Sequence, residues 1–348
     1  MDLQKRLPFP YEFKEMEPSE KAEIARLFNH PIDVVRVGPK GFVLFRPYVE
    51  QAENIYNLPI RSSDVYVASY QRSGTTWTQE LVWLLANDFD YETALALPIT
   101  HRYPFLEIFM CFEEWKKDCM KNLNNLEEEK REKVLKMMEI MAQPVTEKLA
   151  ALPSPRFIKT HLPMSLLPPT IVDTAKMIYV ARDPRDIAVS AYHHSRLMSV
   201  LDFSGEFKEF WNLFMNGRFM LTPYFEHVKE AWKLRHHPNM LFLFYEELSK
   251  DLPASVRRVA KFLGKEVTEE QLARLCDHLS LESFKNNRSV NYEDLREFEM
   301  FTPGVNEKFI RRGKANGWRD YFDENMTEKA EKWIADNLQD TDLRFPKV

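Results

Sequence analysis

The sequence predicts an α/β fold: a single domain with a central parallel β-sheet flanked by helices, built around a P-loop-like strand–loop–helix. Three observations predict it. Short apolar runs alternate with amphipathic stretches of helical length along the chain. Those runs are apolar throughout rather than alternating with period two, which marks strands buried on both faces. The polar clusters fall where the runs end or in a late loop, and open α/β sheets bind ligands at the carboxyl ends of their strands.

Taken in order, Asp64-Val65-Tyr66-Val67-Ala68-Ser69 reads as a buried strand. It ends in Tyr70-Gln71-Arg72-Ser73-Gly74. A helix follows from about Thr75 to Asn87, with Trp77, Leu81, Leu84 and Leu85 at helical spacing. The second strand is Arg156-Phe157-Ile158-Lys159-Thr160, closed by His161 and Pro163, and the third runs from Lys176 to Ala181. Asp183-Pro184 behind it starts a helix, a capping acid with proline in the first turn. Helices are expected near 207–217 and 223–236. A fourth strand is Met240-Leu241-Phe242-Leu243-Phe244. Helices near 253–263 and 268–279 come next, then an irregular stretch from Ser280 to Gly317, and a last helix near 327–338. The stretch from Glu113 to Lys148, rich in Glu, Lys and Met, reads as a solvated helical excursion rather than a second domain. No internal repeat or linker interrupts the chain. Residues 1–348 are therefore read as a single domain, with an N-terminal extension over about 1–40 and a lid-like insertion over about 91–155.

Composition narrows the function. An apolar fraction of 44% supports a sizeable core in a chain of 348 residues. A net charge of −5 gives no support to nucleic-acid or membrane-surface binding, so any anion site must be local. The three cysteines, Cys111, Cys119 and Cys276, lack CxxC spacing. That argues against a disulfide framework or a zinc site, and no metal is expected. Met1 to Glu15 has no apolar signal core, and no apolar run approaches the roughly 18 residues that span a bilayer. A reducing, cytoplasmic location is the expectation.

Four clusters could carry chemistry. In Gln71-Arg72-Ser73-Gly74-Thr75-Thr76-Trp77, Gly74 permits a tight turn and close approach of a ligand. The amides of Ser73 to Thr76 then converge at the positive end of a helix, where Ser and Thr hydroxyls and Arg72 complete an anion cradle. It lacks the G-x-x-x-x-G-K-S/T spacing of a Walker loop. The plain alternative is a capped helix after an ordinary turn. Lys159 and His161 point the same way from the end of the second strand. They could serve leaving group and acceptor together, or sit on a solvated edge. Arg182, with Ser190 on the next helix, could reach one phosphate, or Arg182 could simply pair with Asp186. Finally, Arg311-Arg312-Gly313-Lys314-Ala315-Asn316-Gly317-Trp318 could clamp phosphate oxygens with guanidinium forks, or be a turn with its charges in water.

In this order, the four clusters resemble the cytosolic sulfotransferase family. The family's Y-P-K-S-G-T-T-W is similar to Tyr70 to Trp77, and its K-T-H-L-P stands intact as Lys159 to Pro163. Its Y-V-A-R-N-x-K-D-x-A-V-S resembles Tyr179 to Ser190, and its L-F-Y-E-D resembles Leu243 to Glu247. Its R-K-G-x-x-G-D-W-K resembles Arg311 to Arg319. The likeness runs from roughly residue 40 to the C-terminus. It is strongest toward the insect retinol dehydratase-like branch, through Leu7 to Phe13, Ser69 to Thr76, Thr222 to Trp232 and Trp318 to Asp323.

The resemblance implies that the chain is an enzyme using 3′-phosphoadenosine-5′-phosphosulfate (PAPS) as donor, with PAP as product and a small hydroxyl compound as acceptor. Residues 72–77 would hold the 5′-phosphosulfate. Arg182, Ser190, Arg311, Arg312 and Gly313 would hold the 3′-phosphate, with Ser280 also at the nucleotide. Trp77 and Tyr245 would bracket the adenine. His161 would be the base, with Lys159 and Arg72 stabilising the transferring group. Charge spread over equatorial oxygens calls for positioning and cations rather than a metal.

Departures from the pattern are Arg72 in place of the loop lysine and Gly317 in place of the aspartate before Trp318. The family's C-terminal dimer motif is not evident, which leaves a homodimer open. The dehydratase branch implies an alternative outcome, in which retinol is sulfonated and then loses sulfate to give anhydroretinol. Retention of Trp77 favours an ordinary transferase. A third expectation, a non-catalytic nucleotide-gated carrier, draws on Tyr103, Phe105, Phe109, Phe112 and Trp115 in the insertion, at least half of which read as core.

Overall fold

The computed structural model describes residues 6–30 and 32–347; residues 1–5, at the head of the expected N-terminal extension, lie outside it, as do Pro31 and Val348. Its centre is a four-stranded parallel sheet of β4 (Val65–Ser69), β5 (Phe157–Thr160), β6 (Lys176–Ala181) and β7 (Met240–Phe244), in the order β5-β4-β6-β7. Val67 stands opposite Lys159 on one side and Ile178 on the other, and Ile178 stands opposite Leu241. Every residue of β4 and β7 is buried. Two apolar cores account for this. Tyr66, Ala68, Ile158 and Tyr179 face one core, and Val67, Phe157, Ile178 and Leu243 face the other. The expected strands and the long helices around them stand where the apolar runs put them.

The N-terminal part differs from the expectation. Phe13–Glu15 (β1), Val34–Val37 (β2) and Phe42–Phe45 (β3) form a three-stranded antiparallel sheet. All four residues of β3 are buried, and with Val34, Val35 and Val37 they join the first core. Strands β2 and β3 are thus part of the packed body of the protein. The chain from Ser280 to Gly317 is also less irregular than expected. It contains the helix Leu281–Asn286, capped by Ser280, and a 3₁₀ turn at Glu293–Phe298.

The segment read as an insertion, about 91–155, folds as helices Tyr91–Ala96, Ile99–Arg102, Phe109–Asn122, Glu128–Ala142 and Val145–Ala151. Its entry strap extends the edge of the sheet: Lys159 N–H donates to the Pro104 carbonyl at 3.0 Å, and Leu106 N–H donates to the Lys159 carbonyl at 2.9 Å. The strap thereby brings Phe105 and Glu107 beside Lys159 and His161. Among the described residues, no helix is long and apolar enough to cross a membrane.

Candidate active site

Four parallel strands end at one edge, and a singled-out side chain lies just past the end of each one: Arg72 after β4, His161 after β5, Arg182 after β6 and Tyr245 after β7. All four line one cavity of about 1160 Å³. Gly74 caps the helix Thr75–Ala86 with φ 95°, a left-handed backbone that glycine adopts without penalty. A Cβ there would stand 2.6 Å from Cδ2 of Tyr245, so the loop closes on the ring only because residue 74 has no side chain. Ser73 Oγ is buried with no hydrogen-bond partner among the described residues. Trp77 donates from Nε1 to the Leu279 carbonyl at 2.9 Å and leans on Tyr245, ring centroids 5.8 Å apart.

Arg72 and Arg182 meet at this loop, and Arg311 lines the same cavity. Arg72 donates from Nε to Ser190 Oγ at 3.1 Å and from Nη2 to the Phe309 carbonyl at 2.7 Å. Arg182 stacks over Tyr245 at 4.1 Å and donates to the carbonyls of Arg72 and Lys314. Its Nε is buried without a partner among the described residues. Among those residues no carboxylate pairs with Arg72, Arg182 or Arg311. Burial, with Arg182 and Arg311 next, pushes the Arg72 pKa down to about 10. Cations that disfavour one another inside the protein form a site for an anion with several charges. The orphaned Ser73 hydroxyl and the glycine cradle fit the same ligand, so the residues present suit a phosphosulfate nucleotide.

The alternative pairing of Arg182 with Asp186 is not formed among the described residues. Asp186 instead accepts from the backbone N–H groups of Asn316 (2.7 Å) and Trp318 (2.9 Å). It therefore ties the late cationic loop onto the helix Pro184–Leu197. Gly317 lies between those two donors, and a Cβ there would be 3.7 Å from Asp186 Oδ1. Arg311, Arg312 and Gly313 line the cavity, though Arg312 is exposed and pairs with Asp320. Gly313 approaches Leu281 so closely that a Cβ there would clash with Cδ1 of that side chain. The Ser280 hydroxyl accepts from Ser283 N–H at 3.2 Å as the cap of its helix, at the cavity wall.

His161 is buried at the cavity's base. Its Nδ1 lies 2.9 Å from the Ser69 carbonyl, which can only accept, so Nδ1 carries the proton and Nε2 keeps its lone pair. Burial, then the charge of Lys159, lowers its pKa well below the ordinary imidazole value, although the bond to Ser69 works the other way. Lys159 holds its ammonium over the Phe105 ring at 4.3 Å. Glu107, which the sequence did not single out, accepts from the His161 N–H and from Thr160 Oγ1 at 2.9 Å. Burial raises its pKa to about 7. No local spacing reveals this residue; it reaches His161 because the strap 104–107 pairs with β5. His227 supports the same turn, its Nε2 2.8 Å from the His161 carbonyl.

Most of the remaining cavity surface is apolar. Tyr103, Phe112 and Trp115 are buried and Phe105 and Phe109 half-buried, so three of the five insertion aromatics are core, yet all five also line the cavity. Trp115 fastens the insertion by donating to the Phe298 carbonyl at 2.7 Å. Among the described residues no cluster of His, Cys, Asp and Glu could hold a metal ion.

The family described as the sulfotransferase domain matches residues 62–342. A luciferin sulfotransferase of Photinus pyralis is 36% identical over 318 residues, 88% of this chain and 80% of the relative. Two solved structures of retinol dehydratase, each 53% identical, cover 98% of this chain and 100% of their own. One holds androsterone and PAP, with a TM-score of 0.92, and the other retinol and PAP, with a TM-score of 0.91.

Proposed function

The chain belongs to the sulfotransferase family, and from that premise we propose that it moves a sulfuryl group from PAPS onto the hydroxyl of a small, lipophilic or phenolic acceptor, with His161 as general base. The observation that carries this reading is His161 itself: Nδ1 is held by the Ser69 carbonyl, and Nε2 is left for a cavity that also holds the arginine cluster. PAPS, when bound, supplies a sulfuryl group whose transfer breaks its bond to the 5′-phosphate. Ser73 to Thr76 cradle that phosphosulfate at the helix N-terminus. Arg182, Ser190, Arg311, Arg312 and Gly313 hold the 3′-phosphate, with Trp77, Tyr245 and Ser280 around the nucleoside. Lys159 and Arg72 offset negative charge on the transferring group. His161 takes the acceptor's proton at Nε2 as the acceptor oxygen bonds to sulfur. The apolar walls bind the acceptor's carbon frame and keep water from competing.

His161→Ala is expected to lose about 100-fold or more in transfer rate while the protein still binds PAP. Full activity in that variant would remove His161 from the role of base. A second reading is favoured by the 53% identity to retinol dehydratase crystallised with retinol and PAP. An allylic alcohol, once sulfonated, can lose sulfate to leave a stabilised cation, whereas a phenol cannot. PAPS-dependent loss of water from retinol would support dehydration as this chain's reaction; retinol recovered as a stable sulfate ester would exclude it.

A further inference from the structure

His194 is a cavity group that the mechanism above leaves without a task. It lies one helical turn beyond Ser190 on the helix Pro184–Leu197 and lines the cavity. Its ring meets Phe309 edge-on, centroids 5.7 Å apart. Nδ1 is buried and has no hydrogen-bond partner among the described residues, which leaves Nε2 as the nitrogen a ligand can reach. Burial, followed by the charges of Arg72 and Lys159, lowers its pKa well below the ordinary value and keeps the ring neutral. A neutral imidazole carries one N–H and one lone pair. Buried donors left unpaired are rarer in folded proteins than under-used acceptors, so the proton belongs on Nε2.

His161 has the opposite arrangement, with its proton on Nδ1 toward Ser69 and its lone pair on Nε2. Both rings line the same cavity, and Phe309, which His194 meets edge-on, also lies against Arg72 of the loop that follows Ser69, the partner of His161. The cavity thus presents one imidazole acceptor and one imidazole donor. A hydroxyl offers the matching pair, one O–H to donate and lone pairs to accept.

We propose that His194 is the second half of a hydroxyl-recognition pair: its Nε2–H donates to the acceptor's oxygen while His161 Nε2 accepts that oxygen's proton. The inference rests on the sulfotransferase reading of the site and assigns it a specificity element. His194 fixes the rotation of the acceptor's O–H toward His161, leaving a lone pair free to meet the sulfuryl group. It moves no proton itself. An apolar compound of the same shape gains nothing from His194.

The test is equilibrium dialysis of the full chain saturated with PAP, using 2-naphthol and its near-isostere 2-methylnaphthalene as probes. The preference for 2-naphthol over 2-methylnaphthalene is expected to fall about 10-fold in His194→Phe, about the worth of one hydrogen bond. It should fall by weaker naphthol binding alone. His194→Gln, which keeps a side-chain N–H donor, is expected to recover most of the preference. Equal weakening of both probes in His194→Phe would make the residue one of shape only, and an unchanged ratio would remove it from hydroxyl recognition; either overturns the proposal. The two readings fail separately. A wild-type chain that binds PAP but sulfonates no acceptor defeats the functional reading, whereas an unchanged ratio in a chain that does sulfonate 2-naphthol defeats only the role of His194.

Discussion

Gly74 and His161 set the limits of the site at the level of single residues. Gly74→Ala must place a methyl against the Tyr245 ring, 2.6 Å from Cδ2, on a backbone with φ 95°. We expect a loss of about 1–3 kcal/mol in stability together with weaker PAP binding, checked by denaturant titration and PAP titration of the same variant. In its proposed role, His161 can act as a base only when neutral. Its folded pKa is depressed, so it stays neutral below the ordinary imidazole value of about 6.5, and the acid limb of kcat/KM should lie clearly under that pH. The pH dependence of kcat/KM checks this, and a limb at or above pH 6.5 would contradict the burial-driven shift. Arg72, Lys159 and His161 could be singled out because each lies in a short motif at a strand end, and the structure brings all three to one cavity. Glu107 and His194 were not legible. One reaches His161 through a strap 54 residues earlier in sequence, and the other shares a cavity with it only after the helix Pro184–Leu197 has packed.

Among elements, the late loop depends on one carboxylate. Asp186 holds the N–H groups of Asn316 and Trp318, and this tie places Arg311 to Gly313 at the cavity. Asp186→Ala is expected to weaken PAP binding by about 10-fold or more and to cost about 1–3 kcal/mol in stability, because two backbone donors lose their acceptor. Calorimetric titration with PAP checks it; unchanged affinity would mean that the loop holds its place without the tie. Strands β4 to β7 were readable because strands buried on both faces are apolar without interruption. The N-terminal sheet was missed although it left a signal: Val34-Val35-Arg36-Val37 and Phe42-Val43-Leu44-Phe45 flank Gly38 to Gly41, the pattern of a hairpin. The insertion's helical character was legible from its Glu, Lys and Met content. Its strap was not, because the pairing of Lys159 with residues 104–106 comes from tertiary packing rather than from local propensity.

For the whole molecule, the amino end of the parallel sheet is pinned by a buried ion pair that the sequence did not suggest. Arg156 donates from Nε to Asp64 Oδ1 at 2.8 Å, and both side chains are almost fully buried. Arg156→Met leaves Asp64 charged and unpaired in the interior. The expected cost is about 3–5 kcal/mol in chemical denaturation, and a cost below about 1 kcal/mol would show that Asp64 finds other partners. This pair lies at the end of the sheet opposite the cavity, so stability and chemistry are assigned to different ends of the same strands. The central claim, PAPS-dependent sulfuryl transfer to a hydroxyl, is tested most directly by mass spectrometry of the products formed from PAPS and a panel of phenols, steroids and retinol. The account predicts that at least one acceptor gains a single sulfuryl group, or, for retinol, loses water, with PAP released in step. PAP bound tightly but no acceptor altered would contradict it.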